Sequence, residues 1–595
     1  MPHDVERAST TEGLPVAPSM GPGLDTIAAT RQAAAINGRA VAISAIAVGV
    51  AGASALVAQV LVHLIGLITN LAFYGRLSGT FASPAGNQLG AWVIAVPVVG
   101  AILVGLMARY GSKAIRGHGI PEAMEQVLFN QSRIPWRVTF LKPLSAVISI
   151  GTGGPFGAEG PIIATGGALG SLVGQLIHIT AEERKTLLAA GAAAGMAATF
   201  GSPVAAVLLA VELLLFEYRP RSVIPVALAA VTATGVRIGF VGQAPAFAVT
   251  DIAQPHGWAL ASFILLGALV GIASVGVTKA VYAVEDGFER LPIHWMWWPA
   301  LGAIPVGVIG LFAPRTLGVG YDNIEQIVSG TLTGKAMAAL CFWKLVSWTF
   351  SLGSGTSGGT LAPLFTIGGG LGALIAVGLG VDPRVGGLVG MAAMFAGASR
   401  AMLASVVFAF ETTRKPLGLL PLLGGCSAAY LVSCLLMKHS IMTEKIARRG
   451  VRVPSEYAAD FLEQVLVRDV ALRKVVTLEA GRTVAEIRAW LGSHAAGAGH
   501  QGFPVVDGGR VIGVLTRRDL QDPEAPGEAR LAERLRRPLV AIRPDLSLRE
   551  AADVMVREKI GRLPVVAEGA LVGIVTRSDL LHAHQRRLEQ EGVLG

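Results

Sequence analysis

Apolar positions along most of the chain form long uninterrupted runs. Segments free of Asp, Glu, Lys and Arg cover residues 40–75, 88–108, 258–278, 294–314, 361–381 and 416–437. A membrane helix needs about 20 consecutive apolar residues, so several of these segments cross a bilayer. The first is longer than one crossing requires and must tilt steeply or turn within the membrane. The C-terminal part follows a different pattern. Phe503-Pro504-Val505-Val506 precedes Gly513-Val514-Leu515-Thr516-Arg517-Arg518-Asp519-Leu520, and 60 residues later Leu563-Pro564-Val565-Val566 precedes Gly573-Ile574-Val575-Thr576-Arg577-Ser578-Asp579-Leu580. Each copy reads as a short apolar run, a turn, a β-branched run and a Thr-x-x-Asp that opens a helix. The pattern predicts a compact α/β module present twice.

Composition agrees with a membrane protein. Of 595 residues, 52% are hydrophobic and 15% charged, against about 25% charged in ordinary soluble domains. The 75 glycines predict close helix packing through small residues. Cys341, Cys426 and Cys434 lie in apolar segments, which predicts buried spacers and no disulfide framework. Residues 1–39 are polar, contain Pro and Gly, and lack the pattern of a secretory leader. They read as a disordered cytoplasmic tail. A net charge of +9 raises nucleic acid as a partner, but the basic residues lie largely in the C-terminal third and beside membrane segments. Lys438, Lys445, Arg448 and Arg449 follow the last apolar run and predict that the C-terminal part is cytoplasmic. The expected setting is the inner or plasma membrane, spanned many times, with the lipid bilayer as partner.

The membrane part repeats itself. Residues 151–170, GTGGPFGAEGPIIATGGALG, and residues 353–372, GSGTSGGTLAPLFTIGGGLG, are identical at eight positions when aligned without gaps, including Gly157 with Gly359 and Pro161 with Pro363. A second matched pair begins at Gly195-Met196-Ala197-Ala198 and Gly390-Met391-Ala392-Ala393, and each leads to an intramembrane carboxylate, Glu212 and Glu411. Duplicated halves with hydrophobic segments broken by Gly and Pro predict a transporter whose site lies at the midplane, between the repeats. A helix that starts inside the membrane presents unpaired N–H groups and the positive end of its dipole, which suits an anion.

At these residues the chain resembles the CLC family of chloride channels and anion/proton antiporters, and its C-terminal repeat resembles a tandem pair of CBS domains. Three signatures carry the first resemblance: Gly117-His118-Gly119-Ile120-Pro121, Gly157-Ala158-Glu159-Gly160-Pro161 and Gly358-Gly359-Thr360-Leu361-Ala362-Pro363. It implies an all-α polytopic membrane domain of broken helices in two inverted halves, followed by an α/β CBS pair. It also implies a homodimer with a pore in each subunit and chloride or a similar anion as substrate, with protons as a second. The implied boundaries are 40–450 for the transport domain, 451–464 for a linker, and 465–525 and 530–587 for the two CBS domains. The anion-binding positions carried over are His118, Gly119, Ile120, Gly157, Ala158, Gly160, Thr360, Leu361 and Met442. Glu159 is the gating and proton-carrying position. The chain departs from the family at three places. His118 stands where a Ser is usual, Met442 where a Tyr is usual, and Leu213 where antiporters often carry a second Glu. The last favours passive conduction slightly over antiport.

Each candidate has a simpler reading. For Glu159, a buried ion pair is the alternative, but no basic residue lies near it in sequence, and an intramembrane carboxylate is a functional site by default. For Glu212 and Glu411, bonding to neighbouring backbone at a helix end is the preferred reading. Helix capping explains Thr516, Asp519, Thr576 and Asp579 by itself, while the CBS resemblance makes the same residues candidates for binding an adenine nucleotide. No required cofactor, metal site or enzymatic activity is predicted. A phosphate-binding loop at residues 151–157 fails because no Gly-Lys-Ser/Thr follows. A CBS-regulated cation transporter fails for want of several carboxylate ligands. A membrane-anchored nucleotide sensor without transport would not need the three Gly/Pro signatures.

Overall fold

The computed structural model describes residues 38–249, 257–449, 462, 465–471, 475–493 and 495–590. Nearly all of the expected N-terminal tail and linker lies outside them. The chain divides into two compact units, Ala33–Glu456 and one that contains Tyr457–Gly595.

Among the described residues, the regular elements of the first unit are all helices. Its first half comprises α1 (Gly38–Tyr74), α2 (Ala95–Tyr110), α3 (Ile120–Phe129), α4 (Trp136–Gly151), α5 (Glu159–Leu176), α6 (Ala181–Phe200), α7 (Pro203–Ala210) and α8 (Pro220–Val241). The second half runs through α9 (Trp258–Glu289), α10 (Trp298–Phe312), α11 (Tyr321–Val328), α12 (Gly334–Gly353), α13 (Leu361–Gly378), α14 (Pro383–Ser399), α15 (Met402–Thr413), α16 (Leu419–Leu436) and the short α17 (Glu444–Arg448). Among the described residues, eight helices are long and apolar enough to cross a membrane. Six of them fall on the charge-free runs. The other two, Pro220–Val241 and Gly334–Gly353, carry Arg221 and Arg237, and Lys335 and Lys344, so a search for uncharged runs passes over them.

The long first run is one helix and does not turn. Helix α1 continues unbroken for 37 residues, about 55 Å at the usual rise per residue, against a hydrocarbon core of about 30 Å. Small residues set how closely the central helices pack. A Cβ on Gly191 of α6 would sit 2.0 Å from the Gly166 carbonyl of α5, and in the second half one on Gly390 of α14 would sit 2.3 Å from the Gly368 carbonyl of α13. The equivalent helix pairs of both halves therefore cross backbone to backbone. Of the three cysteines, Cys341 and Cys426 are buried as expected, but Cys434 is exposed on α16. It follows the helix period onto the outer face, where Leu431 and Leu435 are also exposed.

The second unit holds α18 (Val467–Ala471), β1 (Leu478–Glu479), α19 (Val484–Gly492), β2 (Gly502–Asp507), β3 (Arg510–Thr516), α20 (Arg517–Leu520), α21 (Leu548–Arg557), β4 (Arg562–Ala567), β5 (Ala570–Thr576) and α22 (Arg577–Gln590). Strands β2 and β3 pair antiparallel, as do β4 and β5, and the register shifts after Val505 in one and Val565 in the other, the equivalent residue of the repeat. Strand β1 adds in parallel to β2. Phe503, Val505 and Leu515 pack with Ile487 and Leu491 of α19 in one core, and Leu563, Val565 and Val575 with Ala551 and Met555 of α21 in the other. Each repeat therefore closes its own apolar core.

Candidate functional site

Three helix starts converge in the first unit, and the backbone joins them. Gly359 N–H donates to the Gly157 carbonyl at 2.9 Å, and Gly157 N–H returns a bond to Gly359 at 3.3 Å. This antiparallel contact brings the two copies of the repeat face to face. Gly358 N–H reaches the Gly117 carbonyl at 3.5 Å, which adds the first signature to the cluster. Only glycine permits this approach: a Cβ on Gly160 would lie 2.3 Å from the His118 carbonyl, and one on Gly119, where φ is +95°, 2.6 Å from the Gly160 carbonyl. Helices α3, α5 and α13 therefore begin beside one another. Their first N–H groups have no acceptor within their own helices, and Pro121, Pro161 and Pro363 occupy first-turn positions where a missing N–H is tolerated.

Glu159 opens α5 and is fully buried. Its carboxylate folds back over the glycine contact, so that a Cβ on Gly359 would meet Oε2 at 3.1 Å. Neither carboxylate oxygen has a hydrogen-bond partner. The groups that face it are the Tyr321 hydroxyl and the Ala362 N–H, with Lys344 at longer range. The simple ion-pair reading of Glu159 therefore fails on geometry. His118 is buried with Nδ1 unpartnered, and the Thr360 hydroxyl is buried and unpartnered as well. Ile120, Ala158 and Leu361 are all buried in the same core.

Met442 precedes α17 and is fully buried. Its segment is pinned by Ile441, whose N–H donates to the Ala398 carbonyl at 2.9 Å and whose carbonyl accepts from the Tyr282 hydroxyl at 2.8 Å. Lys445 of α17 donates to Glu122 of α3 at 3.1 Å, and Glu122 in turn accepts the Gly119 N–H at 2.7 Å. The segment that carries Met442 is thus tied to the signature that carries His118.

Two lysines outside the site read from the sequence anchor loops before helix starts, Lys142 the loop before α3 and Lys344 the loop before α11. Lys142 Nζ donates to the carbonyls of Ile115 and Gly117, at 2.8 and 2.7 Å. Lys344 Nζ donates to those of Thr316 and Gly318, at 2.9 and 2.8 Å. Both are buried, and each stands 15 residues before its half's bridging glycine, Gly157 or Gly359. That equal spacing was available in the sequence.

Glu212 and Glu411 bond to backbone, as the preferred reading has it, but to backbone of the opposite half and not of their own segment. Glu212 accepts the N–H groups of Leu403 and Ala404 at the start of α15, at 3.0 and 3.1 Å. Glu411 accepts those of Val204 and Ala205 at the start of α7, at 3.1 and 2.8 Å. Each half caps a helix of the other. Leu213, beside Glu212, is buried.

In the second unit, Thr516 Oγ1 donates to Asp519 Oδ2 at 2.6 Å and Thr576 Oγ1 to Asp579 Oδ2 at 2.7 Å, and each carboxylate also accepts its Thr N–H. Thr516 and Asp519 form a reciprocal capping box on α20, and Asp579 repeats the carboxylate half of it at the start of α22. A separate cavity of about 310 Å³ lies between the two repeats, lined among others by Val514, Arg537, Glu558, Ile560 and Arg562.

Comparison with known proteins bears on both units. A family profile described as voltage gated chloride channel matches residues 99–434, and one described as CBS domain matches residues 467–522 and 532–586. The H(+)/Cl(-) exchange transporter ClcA of Vibrio campbellii is 30% identical over 384 residues, 62% of this chain and 82% of that protein. Chloride channel protein CLC-e of Arabidopsis thaliana is 29% identical over 365 residues, 56% of this chain and 51% of that one. Among solved structures, a slow cyanobacterial Cl-/H+ antiporter matches with a TM-score of 0.62 at 24% identity, over 70% of this chain and 98% of that one. A eukaryotic CLC transporter matches with a TM-score of 0.56 at 19% identity, over 90% of this chain and 97% of that one. At such identities the structural likeness speaks to fold alone. The sequence matches and the meeting of the three signatures at one cluster of helix starts carry the assignment: the chain belongs to the voltage gated chloride channel (CLC) family of membrane anion-transport proteins and bears a C-terminal pair of CBS domains.

Proposed function

We propose that the protein is a chloride/proton antiporter in which Glu159 is both gate and proton carrier. This reverses the slight preference for a passive channel drawn from Leu213. The observation that carries the reading is the Glu159 carboxylate, buried without a hydrogen-bond partner against the helix-start cluster. There an ionised carboxylate and a small anion compete for the same N–H groups, and protonation releases the side chain. The exchange activity named for the Vibrio relative supports it. Leu213 favours a second reading, in which the carboxylate gates a passive pore. With His118 and Met442 at the usual hydroxyl positions, backbone N–H groups supply most of the anion's donors, together with the His118 ring. Met442 offers only a weak acceptor sulfur.

Purified protein in liposomes with an outward chloride gradient should move protons inward against no proton gradient of their own. A proton ionophore should collapse that movement and leave chloride flux intact. Chloride flux with no accompanying proton movement would favour the channel.

The same reading places the protein in the cell membrane as a homodimer, with both termini in the cytoplasm. Of the four basic residues that suggest this orientation, three are ion-paired: Lys445 with Glu122, Arg448 with Asp286 and Arg449 with Glu125. Acidic partners contribute little to the orientation rule, which counts Lys and Arg. We further propose that the CBS pair binds an adenine nucleotide. Its support is the cavity flanked by Arg537 and Arg562, since guanidinium groups suit phosphate. ATP at about 100 times its Kd should stabilise the C-terminal part of the intact protein by about 2.7 kcal/mol, read as a higher melting temperature. An unchanged melt at millimolar ATP would rule nucleotide out.

A further inference from the structure

Tyr321 is the first residue of α11, which follows Gly320 at φ +77°. Its ring is held edge-on by Phe200, with centroids 5.7 Å apart, and by Phe247 at 6.4 Å. Aromatic contacts of this geometry fix the ring and leave its oxygen to be aimed. That oxygen is buried and has no hydrogen-bond partner. It faces the Glu159 carboxyl and the backbone at Ala158, the start of α5. A buried phenol without a partner and a buried carboxylate without one thus stand opposite each other, each bearing the desolvation cost that a shared proton would offset. Lys344 of α12 is the charged group that also bears on Glu159; its Nζ is committed to two carbonyls.

We propose that the Tyr321 hydroxyl is a positioning residue of the gate, donating a hydrogen bond to the Glu159 carboxylate when that side chain occupies the helix-start cluster. This rests on the reading of Glu159 as gate. The geometry supplies the site with the Tyr321 hydroxyl, where His118 and Met442 stand in place of two others. Its role is to hold the ionised side chain in place, so that anions do not slip past without proton exchange.

The test is Tyr321→Phe, which keeps the ring and its aromatic contacts, made in the parent and in Glu159→Gln. Protons moved per chloride in liposomes should fall roughly tenfold in the parent background, the loss expected of one hydrogen bond to a charged group. In the Glu159→Gln background the substitution should leave chloride flux unchanged. A parent ratio unaltered by Tyr321→Phe, while Glu159→Gln abolishes proton movement, would overturn the role of Tyr321 and leave the gate standing. An equal change of chloride flux in both backgrounds would also overturn it, since that marks a packing effect. Undiminished proton movement in Glu159→Gln would overturn the gate and this inference together.

Discussion

Glu159→Gln is expected to reduce proton movement to the background of empty liposomes while chloride flux stays within about tenfold of the parent, the change that ~1.4 kcal/mol in binding produces. Glutamine keeps the size of the side chain and the buried seat over Gly157 and Gly359. It removes the negative charge that lets the side chain replace an anion, and it removes the titratable proton. The anion itself meets N–H groups of the backbone, which the substitution does not touch. Proton transport that survives in Glu159→Gln would move the carrier elsewhere. Glu212 and Glu411 are poor substitutes, because both are committed to helix starts.

The second large effect is expected at the buried lysines. Lys344→Met would leave the carbonyls of Thr316 and Gly318 without their lysine donor, and Lys142→Met would do the same to Ile115, while Gly117 would keep only its long contact from the Gly358 N–H. An unsatisfied buried acceptor costs about 1–3 kcal/mol, so Lys344→Met should lose roughly 2–6 kcal/mol and Lys142→Met roughly 1–3 kcal/mol. That is a large share of the 5–15 kcal/mol by which folded proteins are typically stable. The loss should appear in detergent as a lower aggregation temperature and a diminished main peak on size exclusion. Lys335→Met, at an exposed position of the same helix α12, is the control and should behave as the parent. If Lys344→Met also matches the parent, the lysine is not an anchor.

Most of the plan was legible in the sequence because it depends on residue types that have few other uses. Gly and Pro at equal spacing mark places where helices break, and Gly160 and Gly359 proved to be points where backbone leaves no room for a Cβ, while one on Gly157 would meet the Glu159 carboxylate. The 60-residue CBS offset survives as matching strands with matching register shifts. What escaped is what connects distant parts of the chain. Lys142 and Lys344 sit in helices that look merely charged until the carbonyls they hold are seen. Tyr321 opens a short helix whose sequence matches none of the three signatures. The capping roles of Glu212 and Glu411 need two segments that sequence cannot bring together. Cys434 misled because an apolar setting in a membrane chain does not distinguish the interior from the lipid face.

The exchange of caps between the halves has a consequence for the order of synthesis. A ribosome adds roughly 5–20 residues per second. Helix α15 emerges with its cap already made, since Glu212 precedes it by most of a repeat. Helix α7 has no such provision. Its first N–H groups must wait for Glu411, about 200 residues further on, which at that pace takes on the order of 10–40 s. During that interval the first half is inserted but unfinished, with open donors at the start of α7, and a chain truncated between the two carboxylates should be an early substrate for membrane quality control.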